Sequence, residues 1–577
     1  MFDFIVNMKN REIAEIFDRI ADALEFKGEQ FFRVLAYRKA ARTIEELTDA
    51  IEELNKKDKL REIPGIGEGI AKKISEYLKT GKMKKLSEAM AGISKDLLDL
   101  LNIQNLGPKT LKLAHDKLNV KNIKDLKKVV ENGSLAQQFR MGEKKVDNIR
   151  KGIELYERSK ERLPINFALE IAETVVQYLK KSKYVKNIAP SGSLRRMKET
   201  IGDIDILVSG KNGKKIVDYF IKMPNVIQVL ASGETKGSVI LKTETSAVQV
   251  DIRIVEEKSF GAALQYFTGS KEHNVKIRSL AKEKGLKVSE YGVYKNSKPI
   301  AGKTEEQVYK VLGLAWFPPE IREDRGEVEA ALANKLPKLV GYRDIKGDLQ
   351  MHTTYSDASN TIEEMAKAAM KLGYQYIAIT DHSKAANYAN GLSEERLKRQ
   401  WDEINKVQAK LKGIKILKST EVDILSSGKL DFSDKILSQA DLVVASIHQG
   451  FKQHVTERFC AAIENPNVDI IAHPTGRLIN KREGYDVDLE KVMDHARKYQ
   501  KIMEINAYPN RLDLNDIWSK RAKDMGIKIA ISTDAHGVED LNWMRFGIGV
   551  ARRAWLEKKD VINTLKLEQF KKFFSIK

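Results

Sequence analysis

The chain has one cysteine, Cys460, and 12 prolines in 577 residues. A single thiol excludes a disulfide framework and fits a reducing cytoplasm. No apolar run approaches the ~20 residues needed to cross a bilayer, so no membrane partner is expected. The amino terminus, Met1-Phe2-Asp3-Phe4-Ile5, is interrupted by charge too soon to be a secretory signal. With 42% hydrophobic and 32% charged residues the chain is neither disordered nor fibrous. It is too long for one hydrophobic core, since single domains usually stop near ~250 residues, so three or more domains are expected.

Acid is also short, with 81 acidic against 101 basic side chains and a net charge of +20. The deficit is local. Residues 1–100 carry 19 basic and 19 acidic groups, residues 101–300 carry 38 and 22, and residues 301–550 carry 36 and 37. The last 27 residues add +5. A surface merely solvated by interspersed Lys and Glu would spread its charge evenly, so the middle third is expected to bind a polyanion. Seven of the nine histidines fall after residue 340, in the neutral part, which suggests a metal site there.

Residues 1–95 read as short amphipathic helices, for example Glu12 to Leu24 with Ile13, Ile16, Phe17, Ile20 and Leu24 at helical spacing. Between two of them lies Ile63-Pro64-Gly65-Ile66-Gly67, followed by Gly69-Ile70-Ala71-Lys72-Lys73. A second apolar-glycine turn, Ile103-Gln104-Asn105-Leu106-Gly107-Pro108-Lys109, again opens a helix. These are two copies of a helix–hairpin–helix pattern. Gly65, Gly67 and Gly107 let the backbone turn tightly so that helix-start N–H groups face a phosphate, with Lys72 and Lys109 beside them. Two ordinary interhelical turns would look similar singly, but the repeat with adjacent lysines favours DNA-backbone binding.

After Pro164 the pattern becomes α/β, with strand-like stretches at 204–208, 239–241 and 248–254. Asp203 and Asp205 stand two apart on a predicted strand, so both carboxylates project from one face. Asp251 on another strand completes a cluster able to hold two hard divalent cations. Upstream, Gly192-Ser193-Leu194-Arg195-Arg196 forms a small turn with a hydroxyl and guanidinium groups suited to a triphosphate.

Gly192-Ser193-Leu194-Arg195-Arg196 with Gly202-Asp203-Ile204-Asp205 closely resembles the nucleotidyltransferase signature of family X DNA polymerases, the group containing DNA polymerase beta. So do Val250-Asp251-Ile252-Arg253 and Tyr266-Phe267-Thr268-Gly269-Ser270. The resemblance covers about residues 1–316. It implies that Asp203 and Asp205 bind both Mg²⁺ ions, and that Asp251 binds the catalytic one and helps activate the primer 3′-hydroxyl. Gly192, Ser193, Arg196 and Arg162 would meet the incoming triphosphate. Tyr266, Phe267 and Gly269 would lie against the sugar and Asn274 against the base edge. Lys271 stands where the beta enzyme has an acid. The resemblance also implies a 5′-deoxyribose phosphate lyase whose Schiff-base lysine is Lys73, with Tyr37 and Lys85 in its pocket and Gly69 in place of a neighbouring lysine. Crowding by Lys72 and a helix start would lower the pKa of Lys73.

From residue 348 on, short apolar runs alternate with amphipathic helices, the pattern of a βα barrel with active residues at its strand ends. The segments Gly347-Asp348-Leu349-Gln350-Met351-His352, Ser356-Asp357, Thr380-Asp381-His382, Thr420-Glu421, Ser446-Ile447-His448, Ala472-His473-Pro474 and Thr533-Asp534-Ala535-His536 gather imidazoles and carboxylates, and several of them directly follow an apolar run, at predicted strand ends. Imidazoles mixed with carboxylates suit Mn²⁺, Fe²⁺ or Zn²⁺, two or three ions in number, for phosphoester hydrolysis. His454 and His495 fall outside the pattern and are expected on the surface. The set resembles the polymerase and histidinol phosphatase (PHP) domain fused to bacterial and archaeal family X polymerases. His352, Asp357, His382, Glu421, His448, His473, Asp534 and His536 match its metal positions, and Gln350 replaces its first histidine. In that family the domain is a Mn²⁺-dependent 3′–5′ exonuclease that also cleans 3′ ends.

The expected order is a helical domain (1–95), a second helix–hairpin–helix subdomain (96–160), a nucleotidyltransferase palm (161–260), a base-selecting subdomain (261–316), a linker with one short helix (317–346) and a distorted TIM-like PHP domain (347–577). The expected protein is a cytoplasmic monomer that fills gaps in primed duplex DNA with dNTPs and trims 3′ ends. The alternatives are a structure-specific nuclease whose polymerase half positions DNA, and a non-catalytic DNA-end scaffold.

Overall fold

The computed structural model describes residues 2–45, 47, 51–63, 65–103, 106–138, 141–160, 162–243 and 247–576. Helix Phe2–Lys27 contains the amphipathic stretch expected from Glu12, and it turns Ile13, Phe17, Ile20 and Leu24 into a core that also takes Ile74, Leu111, Leu126 and Ile149. One core therefore runs through both hairpin repeats, past residue 95. The repeats have the same local geometry. A 3₁₀ turn (Leu60–Glu62, Leu100–Asn102) is followed by an isoleucine, and an extended glycine, Gly67 or Gly107, caps the next helix, Glu68–Thr80 or Pro108–Leu118. Gly65 has φ +90°, which a side chain would strain, and lies against the Lys39 stem. Pro64 and residues 104–105 of these motifs lie outside the described residues.

The next unit is a five-stranded sheet in the order Val185–Pro190, Ile204–Gly210, Ala247–Val255, Lys236–Lys242, Val226–Ser232. Ile204–Gly210 and Ala247–Val255 run parallel and the other pairs antiparallel. Helices Ile165–Lys180 and Gly213–Phe220 cover its apolar face with Ala172, Val175, Leu179, Val217 and Phe220. A small antiparallel sheet (Lys287–Ser289, Gly292–Lys295, Lys298–Ala301) and helices Phe260–Thr268, Lys271–Glu283 and Glu305–Val311 follow.

Residues 317–346, whose prolines and charges suggest a linker, carry the expected short helix, Glu327–Leu332. The stretch is packed. Phe317, Ile321, Val328 and Ala331 join Ile277, Val293 and Tyr309 in one core, and the buried Arg322 pairs with Glu305 at 2.6 Å. Its apolar residues are spaced between charges that are themselves paired, which composition alone does not reveal.

The carboxy-terminal part is a barrel of seven parallel strands in sequence order: Gly347–Met351, Tyr376–Ile379, Lys415–Asp423, Leu442–Ser446, Ile470–Ile471, Ile502–Asn506 and Ile529–Ser532. The end of the first strand meets the segment after the last through Met351 and Ala535, which nearly closes the barrel. Alternation along each strand separates two layers. Leu349, Ala378, Leu417, Val444, Ile470 and Ala530 share one core, while Ile377, Ile416, Val443, Ile471, Met503 and Ile531 share another with the helices. The terminal helix Leu567–Phe573 plugs the barrel's amino-terminal end, with Phe570 stacked on Tyr376 at 4.2 Å.

Candidate active sites

The first site grows from the parallel strand pair of the five-stranded sheet. In Ala247–Val255, Val248, Val250, Ile252 and Ile254 face the core, so Asp251 faces the open side. Asp205 is its direct partner across the pair, and Asp203 sits one residue before its strand. The carboxylates repel one another. Burial, then Asp203 and Asp251, push Asp205 up to about 7. Burial and Asp251 raise Asp203. Burial would raise Asp251 too, but hydrogen bonds from Ser238 and Gln249 and the Lys236 ammonium, 2.9 Å away, hold it low.

The turn beside them fits closely. Gly192 has φ +62°, and a Cβ on it would lie 2.5 Å from Asp205 Oδ2. The Ser191 N–H donates to the Asp205 carbonyl at 2.8 Å. Arg196 donates to Glu323 (3.0 Å) and to the Thr268 carbonyl (2.5 Å), while Arg195 grips Glu305 with two bonds of 2.7 and 2.8 Å. Arg162 reaches the Thr200 hydroxyl (2.9 Å) and carbonyl (2.7 Å), and its charge acts on Asp203. Tyr266 and Phe267 meet edge to face at 5.3 Å. Asn274 donates to the Tyr266 carbonyl at 2.7 Å, and Gly269, also at positive φ, lies against Arg196. Ser193 is half-buried, and its carbonyl takes the Lys198 N–H at 3.1 Å. Asp203, Asp205, Asp251, Gly192 and Arg162 therefore lie together, and Arg196 ties the turn to Thr268 and Gly269. Lys236 and Ser238 join the carboxylates without any motif to announce them. Three crowded carboxylates with all-oxygen donors fit hard divalent cations.

In the helical region Lys73 Nζ donates to the Gly69 carbonyl at 2.8 Å and sits 5.9 Å from the Tyr37 ring centre. Burial and then the Lys85 charge lower its pKa. Lys72 does not supply that charge, because consecutive helical side chains diverge, and Lys72 pairs with Glu68 at 2.8 Å. Lys109 is exposed at its helix start.

The second site occupies the carboxyl ends of the barrel strands. Glu421 is at the centre, with its carboxylate oxygens 3.0 Å from His473 Nε2, 3.1 Å from His382 Nδ1, 3.4 Å from His448 Nε2 and 3.5 Å from His352 Nε2. His352 also meets Asp534 at 3.1 Å, and His536 meets Asp357 at 3.4 Å. Among the described residues, three groups have donor atoms within 4.8 Å of one another: His352, Asp357, His382 and His536; His382, Glu421 and His448; and His352, Glu421 and Asp534. Burial opposes charge on Glu421, but the His448 and His382 imidazoles hold its carboxyl well below the usual range. Carboxylates in turn raise His382 to about 9 and His536 to about 10 against the effect of burial.

Several buried atoms here have no hydrogen-bond partner: both amide atoms of Gln350 and Nδ1 of His352 and His473, while His382 Nδ1 and Glu421 Oε2 face each other at 3.1 Å out of hydrogen-bond alignment. Lone pairs facing one another in a buried site are what transition-metal ions satisfy, so the residues fit two or three of them. Gln350 is 0% exposed and stands two residues before His352 on the same strand face. His473 and Asp534 hold positive φ, a strain that packing must sustain. His454 is exposed and His495 partly so, both away from the cluster, as expected.

Further residues belong to the site. Asp423 takes the His448 N–H at 3.1 Å and lies 3.4 Å from its Nδ1. It sits two residues beyond Glu421 on one strand, which is a signal the sequence holds. Arg511 follows strand Ile502–Asn506, and its Nε and Nη1 are buried without hydrogen-bond partners, though Nε makes an ion pair with Asp534 at 3.8 Å. Arg511 lines a cavity of about 270 Å³ with Tyr388, Tyr508, Trp543, Asp357, His382, His448, Asp534 and His536.

Three family descriptions match the chain: "Helix-hairpin-helix domain" over residues 8–83, "DNA polymerase beta thumb" over 263–323 and "PHP domain" over 348–508. The chain is 39% identical to the DNA polymerase/3′-5′ exonuclease PolX of Bacillus subtilis (strain 168), over 98% of this chain and 99% of that one. A probable phosphatase of Thermoanaerobacter sp. (strain X514) is 34% identical over 38% of the chain and 89% of its own length. DNA polymerase lambda of Rattus norvegicus is 27% identical over 54% of this chain and 56% of its own. With both centres formed and the similarity running from end to end, the chain belongs to the family X DNA polymerases that carry a carboxy-terminal PHP domain.

Proposed function

We propose that the protein is a DNA polymerase that fills gaps during DNA repair and a 3′–5′ exonuclease that processes 3′ ends at its PHP centre. The observation that carries this reading is the presence, in one chain, of an all-carboxylate centre beside a tight turn and a separate histidine–carboxylate centre. At the first, Asp203, Asp205 and Asp251 would hold Mg²⁺, which when bound lowers the pKa of the primer hydroxyl and neutralises triphosphate charge. Gly192, Ser193, Arg196 and Arg162 orient the triphosphate, and Tyr266, Phe267, Gly269 and Asn274 flank the nucleoside. At the second, His352, Asp357, His382, Glu421, His448, His473, Asp534 and His536 would hold two or three Mn²⁺ or Zn²⁺ ions. These supply Lewis-acid activation for phosphodiester hydrolysis. Gln350 offers a neutral amide oxygen, Asp423 orients His448, and Arg511 faces the phosphate.

The hairpin glycines and lysines, with the basic excess at 101–300, hold the duplex. A 5′-deoxyribose phosphate lyase at Lys73 is part of the proposal. Its unprotonated amine adds to the sugar aldehyde with loss of water, and its lowered pKa supports this. Borohydride trapping that persists in Lys73→Ala would exclude it. Asp205→Ala and His352→Ala, assayed separately on a gapped duplex with Mg²⁺ and with Mn²⁺, test the two main assignments. Nucleotide addition is expected to vanish in the first variant and exonuclease in the second. Addition surviving Asp205→Ala, or exonuclease surviving both His352→Ala and Asp534→Ala, rejects the corresponding site.

A further inference from the structure

The carboxy-terminal domain grips the polymerase half directly behind the nucleotide-binding turn. Arg553 ends helix Met544–Arg553 and its side chain is 4% exposed. Its Nη1 donates to the Arg196 carbonyl (2.8 Å) and to Glu323 (2.7 Å), and its Nη2 donates to Asp516 (2.8 Å). The same Glu323 oxygen accepts from Arg196 Nε at 3.0 Å. One buried carboxylate is thus shared by an arginine of the nucleotide turn and an arginine of the PHP domain.

The next residues are held as well. Met197 has φ +54° and packs on Gly549 of the same helix, where a Cβ would come within 2.7 Å of Met197 Cε. Glu199 receives Arg477 of the PHP domain through bonds of 3.2 and 2.7 Å. Segment 196–199 is therefore fastened at three points by one neighbour. The helix that does most of this begins at Met544, beside Trp543 of the metal-site cavity. Its ten residues form a rod of about 15 Å between that cavity and the turn.

We infer that the PHP domain is a working part of the nucleotide site, with Arg553 as its positioning residue. The inference rests on the reading of Ser193 and Arg196 as triphosphate contacts. Glu323 and an incoming triphosphate compete for the Arg196 guanidinium. Arg553 shares the charge of Glu323 and fixes the Arg196 backbone, which leaves the guanidinium available to the nucleotide. Without Arg553 the carboxylate keeps Arg196 at 3.0 Å and the more distant Lys198 ammonium at 3.8 Å, and it draws Arg196 toward itself. Asp203, Asp205 and Asp251 lie outside this network, so the chemical step is spared and nucleotide affinity falls.

The test uses the full chain in steady-state single-nucleotide gap filling. Arg553→Met is expected to raise the KM for dNTP about tenfold, the range of ordinary site–site coupling, and to change kcat by less than about threefold. Arg553→Lys, which keeps the charge, is expected to recover most of the loss. Adding Glu323→Gln to Arg553→Met is expected to lower KM again, because the competitor for Arg196 is gone; a merely structural role predicts further damage instead. Exonuclease on a single strand serves as the control for integrity. An unmoved KM in Arg553→Met overturns the inference, and so does a parallel loss of exonuclease. Should Arg553→Met not fold, Arg477→Gln cuts the more exposed tie at Glu199, and an unmoved KM there overturns the inference equally. Ser193→Ala separates the two readings. An unmoved KM there removes the nucleotide-site reading and this inference with it. A raised KM there with an unmoved KM in Arg553→Met removes this inference alone.

Discussion

Replacing Gly192 with alanine places one methyl group where the structure has no room for it. The added Cβ would lie 2.5 Å from Asp205 Oδ2, against ordinary contacts of about 3.5 Å. Either the carboxylate or the turn must yield by about 1 Å. A displacement of that size at reacting groups costs roughly 100-fold in rate, or about 2.7 kcal/mol of transition-state stabilisation. The left-handed φ of +62° adds a stability cost of roughly 1–2 kcal/mol for any L-residue. Single-nucleotide addition to a gapped duplex with Mg²⁺ reads the first effect, and thermal unfolding reads the second. Exonuclease of the same preparation is expected to stay at the wild-type rate, since the barrel centre is built on other strands. Addition within about threefold of wild type would refute the claim that Gly192 is needed to seat Asp205. Equal loss of both activities would refute the claim that the effect is local.

Three further outcomes are expected. Burial alone would raise the Glu305 carboxyl, but Arg195 and Arg322 overcome it and hold it down to about 2. Its pKa is thus lower folded than unfolded, so the stability it contributes, roughly 3 kcal/mol, is present above pH ~4.5 and lost as pH falls through ~2. Glu305→Gln should flatten that acid limb in denaturant titrations and cost about 3–5 kcal/mol at neutral pH; an unchanged limb would contradict the pairing. Arg511→Met should lower exonuclease kcat/KM about 10- to 100-fold, the worth of a lost charge-assisted bond to phosphate, and leave nucleotide addition alone. A loss in both assays would point to folding instead. Gln350→His should restore an imidazole to the cluster and raise the Mn²⁺ retained per chain after dialysis; unchanged retention would place Gln350 outside the metal shell.

Much of the architecture could be read from the residues because the signals were local. Glycine-capped helix starts repeat at Gly67 and Gly107, and imidazoles follow apolar runs at His382, His448 and His473. Asp205 and Asp251 were legible because strand periodicity turns each away from its apolar neighbours, whereas the pairing of their strands and the place of Asp203 just before its strand are set by the fold. What escaped was set by the fold rather than by spacing. Lys236 reaches Asp251 from the neighbouring strand, and Lys85 rather than Lys72 presses on Lys73, because a helix separates consecutive side chains. Residues 317–346 looked loose because Arg322, Glu323 and Glu327 count as surface charges until their partners are known. The grip of Arg553 on Arg196 joins positions 357 apart in sequence, and no local pattern encodes it.

One chain carries two separate centres, and under the proposed function they act in opposite directions on a 3′ end. A gapped duplex whose primer bears a label on its terminal nucleotide, incubated with dNTPs, Mg²⁺ and Mn²⁺, tests this in one gel. The wild type should release the label and extend the primer. Asp205→Asn should release the label without extension, and Glu421→Gln should extend the primer with the label retained. Loss of both products in either variant, or label release that persists in Glu421→Gln, would contradict the account.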